Sequence, residues 1–214
     1  FAAGFHTSLY DPEPEHRRTV RDVIEATMGP ALDRVFLDHR PAFANFMVKL
    51  AGADAVPPHA DWTFVDEQRW SSVTVWCALT DQEVDDGALG VVVGSHRCVD
   101  FVRAANHRDG ERHAAIGGGT LDEVVLPLRA GQAVITDNRT VHFSAPNRSG
   151  RRRVVAACVV APRRAPLHHH WLDPDGQLLR LEVGPDFWCT YPLGGDPLTA
   201  TDVFDVVPVD ALIA

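Results

Sequence analysis

The sequence predicts an all-β core of the sandwich or barrel type, flanked by N-terminal helix. Two observations carry this. From Ala42 onward, seven short runs, "AFANFMVKL", "VTVWCAL", "ALGVVV", "EVVLPL", "QAVITD", "TVHFSA" and "RVVAACVVA", are rich in strand-forming residues and separated by Gly, Pro, Asp and Asn. Within "SSVTVWCALT", Val73, Val75, Cys77 and Leu79 alternate with Ser72, Thr74, Trp76 and Ala78, the two-residue period of a strand with two distinct faces. Many short strands at this spacing suit a sandwich or barrel better than a parallel α/β sheet. The 214 residues are enough for one domain spanning 1–214, and no internal repeat or low-complexity tract divides them.

The first forty residues read as helical. Asp11 and Pro12 open a helix whose apolar face carries Val20, Val23, Ile24 and Met28; Gly29-Pro30 stops it, and "ALDRVFLDH" forms a further short helix. Between the strands, the polar stretch from Arg103 to Thr120, with "GGG" near its end, is long enough to read as a lid or mobile segment. No apolar run approaches the roughly 20 residues of a membrane span. The net charge of −9 argues against nucleic acid or an anionic membrane as partner, because both call for a basic face. Cys77, Cys98, Cys158 and Cys189 are widely spaced, as expected of reduced thiols in a cytoplasmic protein. The chain opens on Phe1 with no signal-peptide pattern, which suggests that an upstream segment is missing.

Chemistry first shows in "PPHADWTFVDE", residues 57–67. On a strand, residues two apart share a face, so His59 and Asp61 point the same way and Trp62 points to the other side as packing. A second element lies in "GQAVITDNRTVHFSAPNRSGRRRVVAACVV", where "APNRSG" reads as the turn of a hairpin. Centring that turn on Asn147 and Arg148 sets His142 opposite Arg153 and Ser144 opposite Arg151, with Arg152 on the other face. A bulge would exchange the roles of Arg153 and Arg151. Two histidines and one carboxylate with open positions left over are the set expected of non-haem Fe(II) oxygenases. An arginine beside them suits the far carboxylate of 2-oxoglutarate, since its planar fork binds a carboxylate bidentately and stays charged.

"PPHADWTFVDE", "VWCALTD", "DDGALGVVVGSHR" and "GQAVITDNRTVHFSAPNRSGRRRVV" together resemble, in order, the motifs of the phytanoyl-CoA dioxygenase family, which includes ectoine hydroxylase. The resemblance runs from about Asn45 to Ala161. It implies a double-stranded β-helix, the jelly roll of the cupins, with Fe(II), 2-oxoglutarate as cosubstrate and O2. On that pattern the metal ligands and catalytic centre are His59, Asp61 and His142. Arg153 becomes the 2-oxoglutarate anchor, helped by Ser144, while Asn45, Thr74 and Trp76 line the cofactor pocket. The family's Asn-Gly turn is Asp86-Gly87 here, its Pro-Gly-Ser-His is Val93-Gly94-Ser95-His96, and its N-terminal part has no counterpart. Related halogenases carry Ala or Gly where this chain has Asp61, so the resemblance implies hydroxylation, desaturation or ring closure of a small-molecule metabolite, in secondary metabolism, over halogenation.

Other polar clusters read more plainly. His168, His169 and His170 are expected to be a solvated strand edge or a wall of the substrate pocket, because no carboxylate strand accompanies them for a metal. His107 and His113 lie in the lid stretch. Alternation divides Arg151, Arg152 and Arg153 between two faces, which argues against a phosphate-binding patch. Two other readings share the fold: a cupin-type isomerase or hydrolase using the same three ligands without Arg153, and a non-catalytic β-sandwich binding module.

Overall fold

The structure is a computed structural model that describes residues 3–107, 116, 121–191 and 193–209. In chain order the elements are β1 (Phe5–Thr7), α1 (Pro14–Val35), β2 (His39–Lys49), β3 (Val56–His59), β4 (Val73–Ala78), β5 (Leu89–Val92), β6 (Glu123–Leu126), β7 (Ala133–Asp137), β8 (His142–Ser144), β9 (Arg153–Pro162), β10 (Leu167–Leu172), β11 (Leu178–Val183), α2 (Phe187–Thr190) and β12 (Val203–Pro208). One antiparallel sheet has the order β1-β2-β9-β4-β7 and a second the order β3-β8-β5-β6. The chain passes repeatedly from one to the other, the winding of a jelly roll. A third sheet, β10-β11-β12, stands beside them.

Strand alternation assigns each side chain of the first sheet to one of two environments. Ala44, Val75, Ala156, Cys158 and Val160 face outward and bury Ile24 and Leu32 of α1. The intervening residues face the second sheet, where Trp76 and Val155 pack with Leu89. The same alternation turns Asn45, Thr74, Trp76 and Arg153 inward onto a cavity.

Four sequence expectations change. Gly29-Pro30 does not end the helix: α1 runs unbroken to Val35 with Pro30 inside it. Leu32 continues the stripe of Ile24 and Met28 against the sheet, and the Phe36 amide closes the last turn on the Leu32 carbonyl at 2.8 Å, so packing outweighs the hydrogen bond lost at the proline. Val23 lies off that stripe, half exposed. The hairpin is also absent. β8 pairs with β3 and β5, whereas β9 pairs with β2 and β4, so "APNRSG" crosses between sheets and His142 does not lie opposite Arg153. Asn147 explains the crossing: its backbone bonds Gly52 and Ala53, and its side-chain amide donates to the carbonyls of Lys49 and Arg151, tying the turn to the end of β2. Finally, the histidine run is strand β10 and is buried. Its edge is covered because His168 N–H donates to Phe64 O and the Ala105 N–H to His170 O.

Much of the Arg103–Thr120 stretch, His113 included, lies outside the described residues. Among the described residues no helix is long and apolar enough to cross a membrane. Ile24 anchors α1 at 1% exposure. Ile24→Ala is expected to cost about 2–5 kcal/mol in chemical denaturation, and Val23→Ala to stay within about 0.5 kcal/mol.

Candidate metal centre

β3 and β8 pair so that His59 stands directly opposite His142, and the two rings lie 4.3 Å apart. Each ring is oriented by its own chain: Nδ1 of His59 bonds the Pro57 carbonyl at 2.8 Å, and Nδ1 of His142 the Thr140 carbonyl at 2.9 Å. With Nδ1 donating to a carbonyl, Nε2 keeps its lone pair for a cation. Asp61 sits just past the end of β3, so strand parity no longer places it. Its position comes from the Thr74 hydroxyl, which donates to Oδ2 at 2.6 Å, and its Oδ1 lies 3.8 Å from His142 Nε2. One ligand atom from each of His59, Asp61 and His142 falls within 4.8 Å of the others, the only such cluster of three or more among the described residues. Two imidazoles and a carboxylate are a donor set suited to a divalent transition metal with positions left open.

These three line a cavity of about 230 Å³ together with Arg153, Ser144, Asn45, Thr74 and Trp76. Arg153 is 1% exposed and stacks over the Trp76 ring with 5.3 Å to its centroid. One guanidinium nitrogen donates to the Gly87 carbonyl, Nε has no partner, and no carboxylate pairs with the group among the described residues. Burial pushes its pKa down to about 10, against a smaller opposing pull from Asp86. A buried guanidinium without a counter-ion is costly and calls for an anion. Arg151, the alternative by parity, is spent on Asp86 at 2.9 Å with its side chain 64% exposed.

The sequence did not single out Lys49, which stands beside Arg153 in the β2–β9 register and is fully buried. Its amine donates to Ser144 Oγ at 2.8 Å, and burial together with Arg153 pushes it down to about 8. Its signal in the sequence was parity, since Phe43, Asn45, Met47 and Lys49 share the inward face of one strand. Gly87 permits this crowding. It has φ of 69°, and a Cβ there would come within 2.4 Å of the Ala145 carbonyl oxygen. Asn45 donates to Thr7 Oγ1 at 2.7 Å, fastening β1 across the cavity side of β2.

Arg103 is a second residue the sequence missed. Buried to 3% exposure, it donates from Nε to the Asp61 carbonyl at 2.5 Å and grips both carboxylate oxygens of Glu67. The polar stretch therefore begins by clamping the segment that carries Asp61. His170 Nδ1 bonds the Thr63 carbonyl at 3.0 Å in the same segment. Trp62 does not turn away as parity required; it lines the cavity, because the chain has left strand geometry after His59. His107 also lines the cavity.

His168, His169 and His170 are not solvated, and they do not line the cavity. Burial pushes their pKa values down to about 4, 3 and 4, with Arg180 adding to the effect at His168. A base whose folded pKa is depressed stabilises the fold fully above its unfolded value, near 6.5, and loses that contribution as pH falls toward the folded one. The urea midpoint is therefore expected to drop between pH 7 and pH 5, and His169→Leu to flatten part of the slope. Equal midpoints at the two pH values would contradict this.

Comparison with known proteins agrees with the geometry. The carbocyclase SnoK of nogalamycin biosynthesis, a non-haem α-ketoglutarate-dependent enzyme, is 25% identical over 76% of this chain with a TM-score of 0.56, and the chain spans 64% of its length. The epimerase SnoN, solved with Fe3+, α-ketoglutarate and nogalamycin RO, shares the fold at 22% identity and TM-score 0.62 over 94% of this chain and 75% of its own. HygX from Streptomyces hygroscopicus, solved with nickel, 2-oxoglutarate and hygromycin B, does so at 15% identity and TM-score 0.51 over 76% of this chain and 72% of its own. No curated protein sequence matches. The profile of the phytanoyl-CoA dioxygenase (PhyH) family matches residues 4–155, more than half of the chain, and the chain belongs to that family.

Proposed function

We propose that the chain is the catalytic core of an Fe(II)- and 2-oxoglutarate-dependent dioxygenase that oxidises an unactivated C–H bond of a small-molecule metabolite. Arg153 carries the reading: it is a buried cation without a carboxylate partner, lining the same cavity as the two-histidine, one-aspartate set. A cupin-type isomerase or hydrolase using the same three ligands has no need for such a cation. The likeness to SnoK supports a role in secondary metabolism.

The metal, the 2-oxo acid and dioxygen supply the oxidising power when bound. The residues of the chain bind and orient. His59, Asp61 and His142 hold the metal and leave its remaining positions open. Arg153 receives the far carboxylate of the cosubstrate through the fork nitrogens not spent on Gly87. The Ser144 hydroxyl accepts from Lys49 and so keeps its own proton to donate to the same carboxylate. Thr74 keeps one oxygen of Asp61 engaged and so fixes the carboxylate's orientation. Asn45 and Trp76 wall the cofactor end and keep water from Arg153. Asp61 fills the position that a small residue leaves vacant for chloride in halogenases, which favours oxygen transfer or a related oxidation.

An anaerobic titration with Fe(II) and 2-oxoglutarate is expected to give the weak visible charge-transfer band of a chelated 2-oxo acid, and Arg153→Ala to abolish it at the same cosubstrate concentration. No band in the intact protein would sink the oxygenase reading. Thr74→Val, which removes one hydroxyl at nearly constant volume, is expected to weaken Co(II) binding roughly 10- to 100-fold in a spectroscopic titration while leaving the melting temperature close to that of the parent.

A further inference from the structure

The cavity has two ends of different chemistry. The polar end holds the metal set and Arg153. The other is walled by Phe43, Trp62 and Phe64, whose rings pack on one another at centroid distances of 5.9–6.1 Å, and Leu9 and Tyr10 of the N-terminal segment line the same cavity. Trp62 is held from behind by His169, edge-on at 6.3 Å and 86°. It is also the residue after Asp61, with their Cα atoms about 3.8 Å apart across one trans peptide. A ring lying on Trp62 therefore shares one cavity with the metal set.

Among the described residues, the charged groups around the cavity are already committed. Among the described lining residues the only Lys, Arg, Asp or Glu side chains are Asp61, Arg103 and Arg153. Asp61 belongs to the metal set, and Arg153 lies at the polar end. Arg103 is already neutralised: Glu67 binds both of its terminal nitrogens, and the carbonyls of Asp61 and Phe101 accept two further N–H groups. A phosphate or carboxylate on the substrate would meet aromatic carbon where it needs a counter-charge, and that burial is costly. A flat apolar ring meets a preformed partner face.

We infer that the substrate presents a largely apolar ring system without anionic groups, that this ring lies against Trp62, and that Trp62 determines this specificity. The inference rests on the oxygenase reading of the same site. It separates this chain from enzymes acting on acyl-CoA thioesters or free amino acids, which present phosphate or carboxylate to the pocket, and from those acting on aminoglycosides, which offer no flat apolar face.

The test begins from the anaerobic Fe(II)–2-oxoglutarate complex, with its visible band recorded first. Uncharged polycycles (progesterone, flavone and fluorenone), decanoyl-CoA and kanamycin are then titrated calorimetrically, and the band is followed for a shift. At least one polycycle is expected to bind and shift the band, and the two charged probes are expected not to. Trp62→Ala should weaken polycycle binding about ten-fold or more and leave the band of the binary complex unchanged, whereas Trp62→Phe keeps most of the affinity. Binding of decanoyl-CoA or kanamycin in preference, binding of no polycycle, or an affinity indifferent to Trp62→Ala would overturn the inference. Absence of the binary band strikes the oxygenase reading instead, and calorimetry on the same sample still reports which class of probe the wall accepts.

Discussion

One antiparallel pairing organises the site: His59 opposite His142 across β3 and β8. Directly opposed residues on one face bring their side chains as close as a sheet allows. The backbone alone therefore delivers two imidazoles to one point, with their tautomers set by carbonyls two residues upstream. Asp61 is the dependent member. It lies beyond the strand, and three contacts compensate for the lost register: Thr74 on its carboxylate, Arg103 on its carbonyl, and His170 on the neighbouring Thr63. These come from β4, from the start of the polar stretch, and from β10, so the third sheet and the Arg103–Glu67 pair help position a residue that the second sheet does not itself hold.

The first sheet answers with charge. Lys49 and Arg153 are neighbours across β2 and β9, both buried, and their like charges repel. Nothing about folding favours such a pair. It persists because carbonyl groups absorb part of the cost: Gly87 accepts from Arg153, and Ser144 and Ala145 accept from Lys49. Those carbonyls reach so far in because Gly87 has no Cβ to fend off Ala145. The positive end of the cavity thus carries a burial cost that the carbonyls offset only in part, and that an anion bound there would offset further.

How far the sequence reached follows from which features are local. The runs that became β2, β4, β5, β6, β7, β8 and β9 were legible because strand alternation and turn residues are read within a few positions. So was the H-x-D pair. Pairing partners were not local. The link through Asn147 reads as a hairpin in isolation and becomes a crossing between sheets only because the turn at Gly52 and Ala53 captures it. Arg153 lines the cavity even though the hairpin that set it opposite His142 does not form, because the first inward residue of β9 faces the second sheet whichever partner β9 takes. Pro30 misled in the same way, because its cost is local and the packing of Leu32 that overrides it is not. Lys49, Arg103 and the burial of β10 escaped notice because a charged or histidine-rich stretch carries no sign of the groups that will cover it.

The same distinction separates the two ends of the cavity. His59, His142, Ser144 and Arg153 come from regular strands, where register holds each to a fixed place, and Asp61 from just beyond one. The aromatic wall comes largely from segments without register: Trp62 and Phe64 after β3, Leu9 and Tyr10 after β1. Substitution in those segments disturbs no ladder hydrogen bond, so the wall can change its shape and polarity while the chemistry beside it stays put. Trp62 stands at the junction. One peptide bond ties it to Asp61 and its ring belongs to the wall, so the side chain that selects the substrate is held in place by the same short segment that orients the metal carboxylate.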